Sequence, residues 1–587
     1  MENIYRDNYC GLISQDMIDK SVRLAGFVEN IRDHGGVIFV DVRDNTGVIQ
    51  VVSNDDAMFK DLTKESSVTL SGVVRARAEE DYNDKISTGT IEVLVDEVEV
   101  LGHALNELPF DIKTSHNTNE EIRNKYRYLY LRSQRMQNNL KLRSDVLHFL
   151  RNKMYDLGFT EVQTPILTAS SPEGARDFVV PSRKFKGKFY ALPQAPQIFK
   201  QLLMVSGVDK YFQIAPCFRD EDTRADRTLE FYQLDFEMSF ATEEDVYSVG
   251  EDIFYDVFTK FSNKQVSPKP FKRINYEDAM LKYGTDKPDL RNPLEIIDLT
   301  REFSNTTFKP FQNSIVRGIK VDDLASKSNS WFNEVVDYAK SIGMPGIGYI
   351  TVNDDMTFKG PIDKFLSDDE RKSLIEAAEL SVNSVLFFIA DKNKNTVAKQ
   401  AGLIRTELGR KLDLIDNNRL ELCIINNFPM FEYNEEEKKY DFGHNPFSMP
   451  QGGLDALNNS NIEDIKAYQF DFVCNGFEMA SGAVRNHSVE ILEKAFSLVG
   501  YDKSVVEEKF GSLYNAFKFG APPHAGMGPG IDRIIMLLCD EPNLREIQAF
   551  PPLASGQDLM MGSPSDLTEQ QLREVHIKIR QSINIEK

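Results

Sequence analysis

Five stretches within the first 105 residues alternate apolar and polar side chains too strictly for any helix: VRLAGFVENI, GVIFVDVRD, GVIQVVS, SVTLSGVVRARAE and GTIEVLVDEVEVL. A period of two sends successive side chains to opposite faces of a strand. Gly, Asn and Asp between the stretches supply the turns. Five short strands in about 100 residues suit a small Greek-key barrel of the OB type. In the second stretch Ile38, Val40 and Val42 share one face, and Phe39, Asp41 and Arg43 share the other. Phe39 beside charges is expected either to be exposed, the kind of surface on which a nucleobase stacks, or to cap the barrel.

At 587 residues the chain exceeds what one core serves, and two to four domains are expected. Residues 106–134 form a polar connector, after which Leu140, Leu147, Leu150, Met154 and Leu157 recur at helical spacing. Gly158 closes that helix, and FTEVQTPIL reads as a strand meeting Pro165. Strands rich in Phe and Tyr are expected to about 240, followed by a helix near 242–262. At YGTDKPDLRNP, residues 283–293, Gly and two Pro break the pattern. Residues 288–420 then read as an α/β insertion, with a strand in SVLFFIAD and a helix whose Val397, Ala401, Ile404, Leu408 and Leu412 line one face. After 420 the earlier pattern resumes, as though one domain had been interrupted.

The expected layout is α+β and multidomain. A barrel occupies 1–105 and a hinge 106–134; one domain is split between 135–287 and 421–587, with the insertion at 288–420. No apolar run approaches the roughly 20 residues needed to span a bilayer. MENIYRDNYCG lacks the apolar core of a signal peptide, so a cytoplasmic protein without membrane contact is expected. Cys10, Cys217, Cys423, Cys474 and Cys539 form no CxxC pair and no Cys/His cluster, which argues for buried thiols rather than zinc or disulfides. The net charge of −22 sets the long-range field but leaves a local basic face possible.

The densest chemistry lies in FRDEDTRADRTLEFYQLDFE, residues 218–237. Arg219, Arg224 and Arg227 together with Asp235 and Glu237, in one hairpin-sized stretch, suit a ligand carrying both phosphates and an ammonium group. The absence of GxxxxGK[ST] excludes a P-loop. GMGPGIDR, residues 526–533, turns tightly into the apolar helix IDRIIMLL. Arg533 thereby sits beside free backbone N–H groups, an arrangement suited to phosphate.

Taken together, these segments resemble a known family. FRDE with RxxxF, and the Gly-rich turn before Arg533, are similar to motifs 2 and 3 of class II aminoacyl-tRNA synthetases. The helix–strand–Pro unit at 135–165 resembles their motif 1, and the HIGH and KMSKS signatures of class I are absent. SSPEGARDFVVPSR, ALPQAPQIFKQLLM, FRDEDTRADR, NGFEMASGAVR and GMGPGIDRIIMLL resemble the bacterial-type aspartyl enzymes over essentially the whole chain. The resemblance implies an OB-fold anticodon-binding domain, a class II antiparallel-sheet catalytic domain with an insertion, and a homodimer. It implies a ligase that makes aspartyl-adenylate from L-aspartate and ATP with Mg²⁺ and esterifies tRNA(Asp), and also tRNA(Asn). A strictly tRNA(Asp)-specific enzyme and an inactive RNA-binding paralogue are the alternatives.

Residue by residue, the resemblance implies that Arg219 bridges the ATP α-phosphate and the aspartate carboxylate. Arg533 serves with it as a catalytic residue at the far end of the triphosphate. Asp220, Glu221, Arg227, Thr228, Phe231, Glu478, Gly530, Ile531 and Asp532 complete the ATP site, with Phe231 stacking on adenine. Arg485 takes the side-chain carboxylate of aspartate through its guanidinium fork, and Lys200 adds a second charge. Glu173, Gln197 and Asp235 receive the ammonium or order the pocket, and His444 belongs to a loop that closes over the substrate. Asp471 and Glu478 hold Mg²⁺. Arg32, His34, Phe39 and Gln50 meet the anticodon, His34 standing where members restricted to tRNA(Asp) carry an apolar residue. The chain departs from the family pattern at Thr228-Leu229, at Asn445, at Met479 to Ala483 and at Ala525 to Met527.

Overall fold

The computed structural model describes residues 3–33, 37–53, 55–170, 175–435 and 437–580. The chain divides into two compact units, Met1–Gln137 and Asn138–Lys587.

In the first unit the alternating stretches become Ser21–Asp33 (β1), Ile38–Arg43 (β2), Val48–Ser53 (β3), Ser67–Ala76 (β4) and Ile91–Gly102 (β5). They close into a barrel in the order β1-β2-β3-β5-β4. Its interior is the inward half of the period-two pattern, including Val22, Leu24, Val40, Val42, Val51, Leu70 and Val93. The connector groups with the barrel. It has a small core of Phe110, Ile112, Tyr130 and Met136. Lys113 pairs with Glu29, and Arg132 reaches Glu65 while its guanidinium lies over the Phe27 ring.

The helix Gln134–Asp156 (α1) ends at Gly158, whose φ of +81° suits only a residue without a side chain. Its buried stripe is Met136, Asn139, Val146, Leu150 and Met154, whereas Leu140 and Leu147 are only half-buried. The expected phase was off by part of a turn, because burial follows the packing partner rather than the apolar positions alone. FTEVQTPIL contributes just Thr160–Glu161 (β6) as strand. QIFKQLLMV, expected within a run of strands, is the helix Gln197–Val205 (α2). The chain continues as Lys210–Phe218 (β7), Glu230–Ser239 (β8), the helix Glu243–Phe261 (α3) and Lys272–Asn275 (β9).

It then enters a separate sheet: Ile296–Asp298 (β10), Ile315–Val321 (β11), the helix Asn329–Ser341 (α4), Gly348–Val352 (β12), Phe358–Lys359 (β13), Val385–Asp391 (β14) and the helix Lys394–Lys411 (α5). Its strands are ordered β10-β11-β14-β12-β13. Val397, Ala401, Ile404 and Leu408 of α5 are fully buried, with Leu412 packing at the margin.

Leu422–Asn426 (β15), Gln469–Cys474 (β16), Phe477–Arg485 (β17) and His524–Pro529 (β18) rejoin the first sheet, and the helix Ile531–Leu538 (α6) follows. The completed sheet has eight strands in the order β9-β15-β16-β17-β18-β8-β7-β6. Only its two edge pairs are parallel. One face packs Leu234, Phe236, Phe470, Phe472 and Met527 against α1, α3 and α6. The residues between those positions, Asp235, Glu237 and Asp471 among them, consequently face the other way.

Candidate active site

A cavity of about 330 Å³ opens on that second face. Lys200, Asp235 and Arg485 line it and, with Glu237 behind them, form a buried four-charge cluster. Lys200 Nζ, from α2, lies 2.7 Å from Asp235 Oδ1 and 3.2 Å from Glu237 Oε2. Arg485, at the end of β17, donates through Nε to Glu237 Oε1 at 3.0 Å. Its Nη2 reaches Glu237 Oε2 at 3.4 Å and the Gly526 carbonyl at 3.1 Å. β17 and β8 are not neighbours; β18 lies between them. Arg485 and Glu237 meet across it because Gly526 has no side chain: a Cβ there would stand 2.3 Å from Glu237 Oε2. The glycine-rich run before α6 is thus a bare floor under an ion pair.

All four charged groups of the cluster are buried. Buried charges persist when they are paired and hydrogen-bonded. For Glu237, burial alone would raise the carboxyl pKa, but Arg485 and then Lys200 hold it below the usual range. For Asp235 burial wins over Lys200, and the pKa is raised. Asp235 Oδ2 has no hydrogen-bond partner among the described residues. Arg485 Nη1 likewise has none, so the expected fork offers an end-on donor rather than two parallel ones. Gln197 Nε2 is also unpartnered, and its Oε1 lies 3.5 Å from Asn445 Nδ2. His444 lines the same cavity, with its ring edge-on to Phe428 at 4.8 Å.

The other end is rich in arginine. Arg219 follows β7 directly, its guanidinium 5.0 Å from the Phe231 ring and its buried Nε unpartnered. Arg227 reaches Glu221 at 3.5 Å across the β7–β8 hairpin. Arg533, in the first turn of α6, donates to the Glu478 carbonyl and lies 3.3 Å from Asp226. Thr228 and Gly530 also line the wall. Asp532 lines it too, but its carboxylate accepts from Arg143 and from the Tyr232 N–H, so its side chain already has partners. Ile531 is in the core, not on the cavity wall, leaving its backbone as the only group it could present. Asp220 is also off the wall; its peptide exchanges hydrogen bonds with Arg176. Glu173 and His34 lie outside the described residues.

Between the two ends sit Asp471 and Glu478. Burial first, and then the Glu478 charge, push the Asp471 pKa well above its usual 3.8. Burial would raise Glu478 as well, but Lys287 and then Arg533 hold it below the usual range. Asp471 Oδ1 is buried and has no hydrogen-bond partner among the described residues.

The family profile described as class II tRNA synthetases (D, K and N) matches residues 119–554. A second, for the OB-fold nucleic acid binding domain, matches residues 22–101. The chain belongs to the class II tRNA synthetases. An "Aspartate--tRNA(Asp/Asn) ligase" of Ehrlichia chaffeensis is 50% identical over 98% of this chain and 99% of its own length. A protein of the same description from Anaplasma phagocytophilum is 51% identical over 98% of each. The fold is shared with an asparaginyl-tRNA synthetase of Pyrococcus horikoshii, TM-score 0.57 and 19% identity over 93% of this chain and 97% of that one. It is likewise shared with an aspartyl tRNA synthetase of Entamoeba histolytica, TM-score 0.55 and 19% identity over 92% and 89%.

The synthetase's barrel carries a polar network instead of an open charged face. Asp41 and Arg43, expected beside Phe39, are both buried. Arg43 pairs with Glu29 at 3.0 Å and Glu65 at 2.9 Å. Asp41 accepts two bonds from Arg32, at 2.9 and 2.7 Å. Phe39 is half-buried. Gln50 is buried, with its Oε1 accepting from Arg32 at 3.1 Å and its Nε2 donating to Glu92 at 2.6 Å. Its amide, expected to meet the anticodon, is bonded at both ends within the barrel. Glu237 was named from the sequence only with Asp235, as part of a ligand-binding stretch, and Lys287 was not named at all. Glu237 had a signal, since two acids at i and i+2 in the apolar strand LDFE must share a face. Lys287, just outside the expected insertion, had only its place beside Asp286 in a Gly/Pro break.

Proposed function

We propose that this synthetase activates L-aspartate with ATP and transfers it to tRNA(Asp) and tRNA(Asn). The observation that carries the reading is the buried Lys200–Asp235–Glu237–Arg485 cluster. One end of it offers cationic donors to a side-chain carboxylate, and Asp235 Oδ2 offers an acceptor to an ammonium group. A neutral or cationic amino-acid side chain would leave those donors unmatched. The full-length likeness to proteins described as acting on tRNA(Asp/Asn) supports the same choice.

In this reading the α-carboxylate oxygen of aspartate attacks the α-phosphorus of ATP. The bond to pyrophosphate breaks and aspartyl-adenylate forms. Negative charge grows on the phosphorus oxygens as it does so, and Arg219, with its free Nε, faces it. A terminal ribose hydroxyl of the tRNA then attacks the acyl carbon, and AMP leaves. No protein nucleophile is needed; the chain positions and neutralises.

The donor set fits Mg²⁺. Asp471 and Glu478 give hard oxygens, one of them buried and unpartnered. No group of three or more His, Cys, Asp or Glu able to hold a metal occurs among the described residues, so phosphate and water would complete the shell. Bound there, the ion would neutralise phosphate charge. No helix among the described residues is long and apolar enough to cross a membrane. A cytoplasmic homodimer, paired through the region of α1, completes the proposal.

The test is amino-acid-dependent exchange of pyrophosphate into ATP. Aspartate should support exchange far better than asparagine or lysine; stronger exchange with either of those would overturn the assignment.

A further inference from the structure

The role of the 288–420 insertion is open, and one side chain ties it to the cavity. Lys287 precedes the insertion and lines the cavity wall. Its Nζ lies 3.1 Å from Glu478 Oε2 and 3.2 Å from Asp286 Oδ2.

The segment bearing Lys287 is gripped by the insertion helix α5. Arg405 of α5 is 2% exposed, yet it forms no ion pair among the described residues. It donates instead to three carbonyls of that segment: Leu294 at 2.5 Å, Asp289 at 3.0 Å and Asn292 at 2.6 Å. Asn292 answers with a bond to the Arg405 carbonyl at 2.9 Å. Its side-chain oxygen also accepts from the Leu294 N–H, at 3.1 Å. Gly284, with φ of +69°, packs so closely on α5 that a Cβ would lie 2.3 Å from the Ala398 carbonyl. The Arg405 guanidinium also lies over the Tyr283 ring, 5.0 Å from the centroid. Burying an arginine without a carboxylate partner is costly unless the arrangement is needed. What it fixes here is the path of residues 284–294.

We propose that Lys287 is a positioning residue for the Asp471–Glu478 pair, and that the insertion sets its place through Arg405. The proposal rests on the reading of that pair as the divalent-cation site. The ammonium holds Glu478 in line and competes with a divalent ion for the same carboxylate. Phosphates restore the negative charge that the ion needs, so metal joins with ATP rather than ahead of it.

The test is Mn²⁺ binding to the full-length protein without ATP, followed by the electron paramagnetic resonance of the free ion. Lys287→Met should tighten Mn²⁺ binding by on the order of tenfold, the effect of removing one neighbouring like charge. Lys287→Arg should bind as the parent does. Arg405→Met should tighten binding as Lys287→Met does, and combining the two should add nothing further. If Arg405→Met fails to fold, Asn292→Ala carries this arm, since it removes the second tie between the segment and α5, the Asn292 side-chain bond to the Arg405 carbonyl. Unchanged or weaker binding in Lys287→Met, with binding abolished by Asp471→Asn, overturns the proposal and leaves the metal site standing. Tightening by Lys287→Met but not by the Arg405 or Asn292 variant overturns the insertion's part. Binding that survives Asp471→Asn unaltered overturns the metal-site reading and the proposal with it.

Discussion

At the scale of single residues, the site is built from charges that need one another. Arg485 is the plainest case. Replacing it with methionine leaves Glu237, fully buried, with Lys200 as its one remaining cation among the described residues. Breaking a buried pair from one side costs about 3–5 kcal/mol. Chemical denaturation of Arg485→Met should show that loss, and exchange assays should show aspartate turnover collapsing with ATP affinity little changed. Asp471 behaves oppositely. Its folded-state pKa is raised, so between the ordinary carboxylate range and that raised value the folded chain holds a proton the unfolded chain has released. Stability from this group is therefore full at low pH and declines as pH rises through the folded value. Asparagine never ionises, so Asp471→Asn should raise the melting temperature at pH 7, on the order of 2 °C. The gain should vanish near pH 3, and ATP-dependent activity should be lost throughout. A gain independent of pH would mean that the shape of the side chain, not its charge, decides. The arginines of this site were legible in the sequence because charge so dense beside aromatics is costly to hold in place unless a charged ligand meets it. Glu237 and Lys287 were less so, since their meaning lies in partners more than 200 and nearly 200 residues away, Arg485 and Glu478.

At the scale of elements, alternation was the dependable guide. Strict period two in β1–β5 gave the barrel, because a strand with one face inward tolerates no slip of register. α2 was missed although Gln197, Lys200 and Gln201 share one helical face, because that polar face is the buried one and the helix has only 9 residues. The glycines of β18 carry a sharper consequence. Gly526→Ala would place a methyl 2.1 Å from the Phe236 carbonyl and 2.3 Å from the Glu237 carboxylate. One of the strands must move, and the expected loss is about 2–4 kcal/mol with impaired aspartate use. A denaturant midpoint equal to the parent's would show that the floor yields freely. On β2, Phe39→Ala should slow charging of tRNA while leaving adenylate formation intact, by the roughly 1–3 kcal/mol of one stacked base. Equal loss in both steps would point instead to a disrupted barrel.

At the scale of the whole molecule, the enzyme must choose among tRNAs whose anticodons differ at one base. Side-by-side charging of purified tRNA(Asp) and tRNA(Asn) should give efficiencies within about tenfold, that is 1.4 kcal/mol. A preference of about a hundredfold or more for tRNA(Asp) would establish a selective enzyme. The amide of Gln50 has a separate consequence for any base that meets it. It is already held by Arg32 on one side and Glu92 on the other, so no vacancy waits for a base. A nucleotide engaging it performs a substitution: two internal bonds open as two external ones close. The net change is a small difference between similar quantities. If Gln50 meets the anticodon, it does so by an exchange between rival partners, not by filling a waiting socket.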